Sequence, residues 1–225
     1  MSRISRQCDL RAHRFALSLN WMKFYVVLTL VLFVTASCTQ RPTHTGVVIE
    51  GNTMTHSVAN GRKIQSPPGA ATAPFELQFI DTMIELNLTA IDAEQLVATR
   101  AQHPDLKQFA GSMIAGQQEE IASLKQLRSS WFGDMSQAVN FDQSGAAEGV
   151  KMIDLVKLDL LKENAFDREF LTEMVPLDEG SITLAKDLTG KEVHPELKQL
   201  AENIIRDRQA KIEQMKEWQN DWSKP

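Results

Sequence analysis

Shifted against itself by 91 residues, the chain aligns without a gap. Phe75 meets Phe166, Phe79 meets Phe170, Met83 meets Met174 and Ile91 meets Ile182. His103-Pro104-Asp105-Leu106-Lys107-Gln108 meets His194-Pro195-Glu196-Leu197-Lys198-Gln199, and Trp131 meets Trp222. Ala110, Ile114, Gln118, Ile121 and Lys125 also find identical mates, at 201, 205, 209, 212 and 216. A repeat of this length is one supersecondary unit, and a unit with one apolar stripe must bury it against a neighbour.

Each copy, 75–131 and 166–222, reads as helix, turn, helix. Phe75, Phe79, Met83, Ile84 and Ile91 fall at helical spacing, and Leu106, Ala110, Met113, Ile121 and Leu124 follow at steps of three and four. Leu197, Ala201, Ile204, Ile212, Met215 and Trp218 repeat the pattern. Pro at the first helical position needs no amide donor, and it pushes the His before it into an extended, cap-like conformation. His103 and His194 therefore read as helix-start residues. The stretch 136–145, rich in Ser, Asn and Gly, breaks the pattern, and a short helix from about 146 to 161 carries the chain between copies. The expected fold is all-α: a four-helix bundle from two tandem repeats plus a short middle helix, occupying 74–225.

The N-terminus reads as a targeting segment. Lys23 precedes an apolar run at 25–34, followed by Thr35, Ala36, Ser37 and Cys38. That order defines a signal peptide, and the run is short for a membrane span. Thr-Ala-Ser-Cys resembles a bacterial lipobox, with Thr35 where an aliphatic residue is usual. Residues 1–38 are thus expected to end in a lipidated Cys38, with Met22 as a possible true start. Thr39, not Asp, follows the Cys, which by analogy with diderm bacteria directs the anchor to the outer membrane, on the periplasmic side of the envelope. Residues 39–73, rich in Thr, Ser, Gly and Pro, read as a flexible tether. Val47-Val48-Ile49 has strand character with nothing nearby to pair with. Cleavage before Cys38 removes five basic residues and one acid, taking the net charge from −5 to −9. Such a surface repels phosphate backbones, so nucleic acid is excluded as a partner.

The second copy carries a further pattern. Phe166-Asp167-Arg168-Glu169-Phe170-Leu171-Thr172-Glu173-Met174-Val175-Pro176 and the closing helix with Ile204-Ile205, Gln209, Ile212, Met215 and Trp218 resemble domain-of-unknown-function family 305. The resemblance runs from about residue 74 to 222. It implies a ferritin-like bundle in an exported protein. In that family the Met-Ile-Pro run is followed by His-His, the obvious metal site, and some members are linked to copper handling. Here Leu86-Asn87 and Leu177-Asp178 stand in the two His-His positions, so the implied metal chemistry does not carry over residue by residue.

No di-iron Glu-x-x-His, Cys-x-x-Cys, phosphate-cradling Gly loop or zinc-protease motif occurs. No enzyme activity and no cofactor are expected. The expected role is binding or scaffolding in the envelope, with the membrane reached through the N-terminal lipid, an envelope protein as partner, and oligomerisation open. The alternative is copper binding. Thioether sulfur suits Cu(I), and the ligand set would be Met83, Met174 and Met215 with His103, His194 and Asp178. As repeat mates, Met83 and Met174 are expected to face each other near the bundle axis, although Met on an apolar stripe is also an ordinary core filler. Asp178-Glu179, and Asp92 with Glu94, read as solvated or capping acids.

Overall fold

The structure, a computed structural model, describes residues 48–50, 53–57, 63–64 and 66–222 apart from 152. The chain divides into a unit of residues 1–40 and one of 41–225, and the described residues all lie in the second. The signal segment, Met22 and Cys38 lie outside the described residues.

Three short strands come first: β1 (Val48–Glu50), β2 (Thr53–Ser57) and β3 (Lys63–Ile64). They form an antiparallel sheet in the order β1-β2-β3, with Ile49 opposite Met54 and His56 opposite Ile64. This corrects the expectation that the strand at 47–49 has no partner. The apolar and Thr-rich pieces are separated by Gly51-Asn52, a dipeptide that favours tight turns, and the polar composition of the region hid the hairpin. The ordered domain also starts before residue 74. A 3-10 turn at Ala70–Thr72 buries Ala70, and Gln78 Nε2 donates to the carbonyls of Ala71 (3.3 Å) and Ala73 (2.7 Å).

Four long helices make the bundle: α1 (Phe75–Arg100), α2 (Pro104–Phe132), α5 (Glu163–Thr189) and α6 (Pro195–Trp222). α1 pairs with α2 and α5 with α6, as hairpins, and α1 packs on α5 across the copies. Phe79, Met83, Leu106, Met113, Leu124, Phe166, Phe170, Met174, Leu197 and Met215 are all fully buried, as the stripes require. Each such side chain contributes about 1.5–3 kcal/mol of apolar burial.

The crossover holds two short helices, where the sequence suggested one: α3 (Ala146–Lys151) and α4 (Leu155–Leu160). Asp154 caps α4, its side chain accepting from Lys157 N at 3.0 Å. The crossover is pinned to each copy at one repeat-equivalent position. Asn140 N donates to Thr82 Oγ1 on α1, and Asp154 N donates to Glu173 Oε2 on α5, both at 2.8 Å. α3 lies close on α5, because Gly145 and Gly180 let the backbones meet. A Cβ on Gly180 would lie 2.4 Å from the Gly145 carbonyl oxygen.

Candidate functional site at the bundle centre

The repeat-equivalent His residues set the geometry. The backbone of His103 is extended (φ −76°, ψ 123°) and its side chain makes no cap, as Pro104 dictates. Its imidazole reaches the other copy instead. Nδ1 donates to Asp167 Oδ2 at 2.5 Å, the amides of Gln102 and His103 donate to the same carboxylate at 3.0–3.1 Å, and the ring stacks on Trp222 with centroids 3.8 Å apart. His194 repeats this with roles exchanged. Its amide donates to Glu76 Oε1 at 2.6 Å, its Nδ1 lies 2.9 Å from the same carboxylate, and its ring stacks on Trp131 at 4.2 Å. Glu76 and Asp167 are themselves repeat mates, as are Trp131 and Trp222. The copies are therefore related by a pseudo-two-fold axis, and each clasps the other at one end.

This antiparallel arrangement disperses the copper ligand set. Trp222, at the far end of α6 from His194, stacks on His103. At 1.5 Å per residue the two His therefore stand about 40 Å apart, at opposite ends of the bundle. Met83 lies seven residues in from Glu76, and Met174 seven in from Asp167 at the other end. They are thus roughly 20 Å apart along the axis, so the expectation that they face each other is wrong. Repeat mates in an antiparallel pair meet only at mid-height. Met83, Met174 and Met215 are all fully buried in the hydrophobic core. Among the described residues no group of three or more His, Cys, Asp and Glu is arranged to hold a metal ion.

The mates Gln117 and Arg208 both stand at mid-height, near the middle of α2 and α6. Both fall on the apolar stripes of their helices and both are 1 % exposed. Arg208 is the hub. Its guanidinium donates to Glu120 Oε2 (3.1 Å) and to Asn87 Oδ1, and its Nε lies 3.4 Å from Asp178 Oδ1. Asn87 Nδ2 donates in turn to Glu120 Oε1 at 2.7 Å. Asn87 and Asp178, the residues in the second His positions, are thus brought together on one guanidinium. Leu86 and Leu177, in the first His positions, are buried in the apolar core.

Beside this hub, Gln117 Nε2 donates to Glu94 Oε1 at 2.9 Å. Glu94 and Asp178 are each 1 % exposed, which corrects their reading as solvated or capping acids. Glu179, by contrast, is exposed and pairs with Lys216 at 2.7 Å. Burial, reinforced by the charge of Asp178, pushes the Glu94 carboxyl up from 4.5 to about 8. Burial also moves Asp178 upward, against the pull of Arg208 and Lys211. For Arg208, burial is outweighed by Glu120 and Asp178, which hold the guanidinium charged.

A family model described as domain of unknown function DUF305 matches residues 36–128 and 76–219. The chain belongs to the DUF305 family. Its structure is similar to CopM in the Cu(I)-bound form (30 % identity, TM-score 0.55) and in the Cu(II)-bound form (31 %, 0.57). Each match covers 65 % of this chain and 96–97 % of CopM. A DUF305 fragment from Deinococcus radiodurans is similar at 18 % identity and TM-score 0.58, covering 66 % of this chain and 97 % of that one, a likeness of fold. No functionally curated protein matches this sequence. The DUF305 bundle is thus the frame, and this member fills its centre with an ion network. Sequence reasoning missed Arg208, Gln117 and Glu120. The signal was present: polar residues at 117 and 208 interrupt otherwise apolar stripes at repeat-equivalent positions.

Proposed function

We propose that this chain is an exported, lipid-anchored DUF305 protein with a non-enzymatic binding or scaffolding role in the cell envelope. In this reading the centre that the family resemblance assigns to paired His residues has become a structural ion network. One observation carries it: Arg208, wholly buried, takes both Asn87 and Asp178. A fixed guanidinium repels a metal cation, and the residues around it are already engaged as its counter-charges and acceptors. Lipidation at Cys38 supplies the anchor. Cys38→Ala should move the protein from the membrane to the soluble fraction; retention of a processed variant on the membrane overturns the anchor.

The similarity to CopM, solved with copper bound, favours a second reading, copper handling. His103 and His194 then act as two separate sites, because they stand at opposite ends. Each has its Nδ1 committed to a carboxylate, the usual support for an imidazole that ligates through Nε2. Calorimetric titration of the purified domain with Cu(I) and Cu(II) separates the readings. The first expects no stoichiometric binding. Tight binding that falls by one equivalent in His103→Ala and again in His194→Ala establishes the second.

A further inference from the structure

The two hairpins are so alike that most of the molecule does not distinguish one from the other. Phe79 and Phe170, Met83 and Met174, Leu106 and Leu197, and Ile121 and Ile212 are identical mates, and all are buried. The end clasps are equally indifferent. His103 takes Asp167 and Trp222 from the second copy, and the mates of those two residues, Glu76 and Trp131, are again an acid and a Trp. A hairpin paired with its own like, from another chain of this sequence, would keep both its apolar stripe and its clasps.

The polar layer at mid-height breaks that equivalence. Four pairs of mates there differ in charge: Asn87 and Asp178, Glu94 and Ala185, Gln117 and Arg208, Glu120 and Lys211. Asn87, Glu94, Gln117, Asp178 and Arg208 are 1 % exposed or less, and Lys211, one turn along α6 from Arg208, is half-buried. Between unlike copies the charges answer one another. Arg208 of the second copy donates to Glu120 of the first at 3.1 Å and to Asn87, while its Nε lies 3.4 Å from Asp178. Like copies related by the same two-fold would not match. Two first copies would gather both Glu94 and both Glu120, four carboxylates with no cation among them. Two second copies would set both Arg208 and both Lys211 against two Asp178, and each Arg208 would meet a Lys where it now meets Glu120. A buried charge without its counter-charge is strongly destabilising.

We propose that this layer selects the pairing of the hairpins: each accepts the unlike copy and rejects its own like. The apolar stripes and the clasps supply the attraction, and the layer supplies the discrimination, as a polar residue in an apolar seam fixes the partner in coiled coils. The partner it admits to the first copy is the second copy, from the same chain or, where two chains exchange hairpins, from another. It bars two chains from joining through their first copies or through their second copies. The inference rests on the reading of the centre as an ion network, and it is independent of the lipid anchor and of copper at the bundle ends.

Urea denaturation of three full-length variants, followed by circular dichroism at neutral pH, tests the selection. One variant gives the second copy the layer of the first: Asp178→Asn, Arg208→Gln and Lys211→Glu. Another gives the first copy the layer of the second: Asn87→Asp, Gln117→Arg and Glu120→Lys. The third carries all six substitutions, so the layers change places and unlike pairing returns. The folding constants of the first two should fall at least about hundredfold, the scale of a buried charge left unanswered. That of the third should lie within about tenfold of wild type, a recovery that independent effects at six sites do not give. If the first two fall and the third stays with them, the selection is overturned while the ion network stands. If the first two match wild type, both are overturned. Should a three-substitution variant fail to fold, the six-substitution variant decides alone: cooperative unfolding within that tenfold range upholds the selection, and a weaker or unfolded chain overturns it.

Discussion

At the scale of single residues, one side chain changes what this bundle can be. Arg208 sits on the apolar stripe of α6, between Ile204 and Ile212, both buried. A cation is tolerated there only because Glu120, Asp178 and Asn87 converge on it from α2, α5 and α1. Removing a buried partner exposes the opposite charge to a low-dielectric surrounding, while replacing the whole set by apolar residues removes the problem. Arg208→Gln restores identity with Gln117 and should still destabilise by about 3–5 kcal/mol, because two carboxylates remain buried without their counter-charge. Arg208→Met combined with Glu120→Leu and Asp178→Leu should recover most of that loss. Urea denaturation at neutral pH measures both, and a neutral effect of Arg208→Gln alone would remove the hub from this account.

At the scale of elements, the bundle helices follow from stripes and prolines, whereas the crossover follows from close packing. Gly145 has φ +84° and Gly180 faces it on α5, so a Cβ on either lies within 2.4 Å of the opposite carbonyl oxygen. Gly180→Ala should therefore loosen α3 from α5 and cost about 1–3 kcal/mol, the range for overpacking a tight contact. Gly116, on the exposed side of α2, meets nothing within 4 Å. Gly116→Ala should instead stabilise by up to about 1 kcal/mol, through helix propensity. Thermal unfolding of the two variants should move in opposite directions. The short helices themselves were poorly legible, because six residues give too little apolar period to read. Pro176 inside α5 likewise gives no local warning that the helix continues past it; the packing of Phe170, Met174, Leu177 and Ile182 on the core holds the turn.

At the scale of the whole molecule, the two copies act as one unit because every clasp joins one to the other. His103 binds Asp167 and Trp222, His194 binds Glu76 and Trp131, and Arg208 binds Glu120 and Asn87. Neither hairpin keeps its end contacts without its mate. Trp131 and Trp222 should therefore report the same unfolding midpoint when each is kept as the single tryptophan of the bundle, and two separated transitions would refute one cooperative unit. A double-mutant cycle between His103→Ala and Trp222→Ala should show a coupling of about 0.5–1.5 kcal/mol for the stacked pair. A coupling near zero would reduce the clasp to a surface contact.

By itself the sequence determined the helices, their pairing into two equivalent hairpins and the extended His at each helix start. Those features depend on local rules: the 3.6-residue period, the missing amide of proline, and a repeat that needs a mate. It also put Leu86, Asn87, Leu177 and Asp178 at the positions where the resemblance implies paired His residues. What became of those positions was decided only by the tertiary structure. The antiparallel pseudo-two-fold carries the His and Met mates far apart and gathers Asn87 and Asp178 on Arg208 at the centre. Burial there turns Glu94 and Asp178, which look like surface acids in the sequence, into interior groups. A sequence specifies which residues share a helical face, but how deep a charge lies, and which charge from another helix answers it, depends on how the helices are stacked.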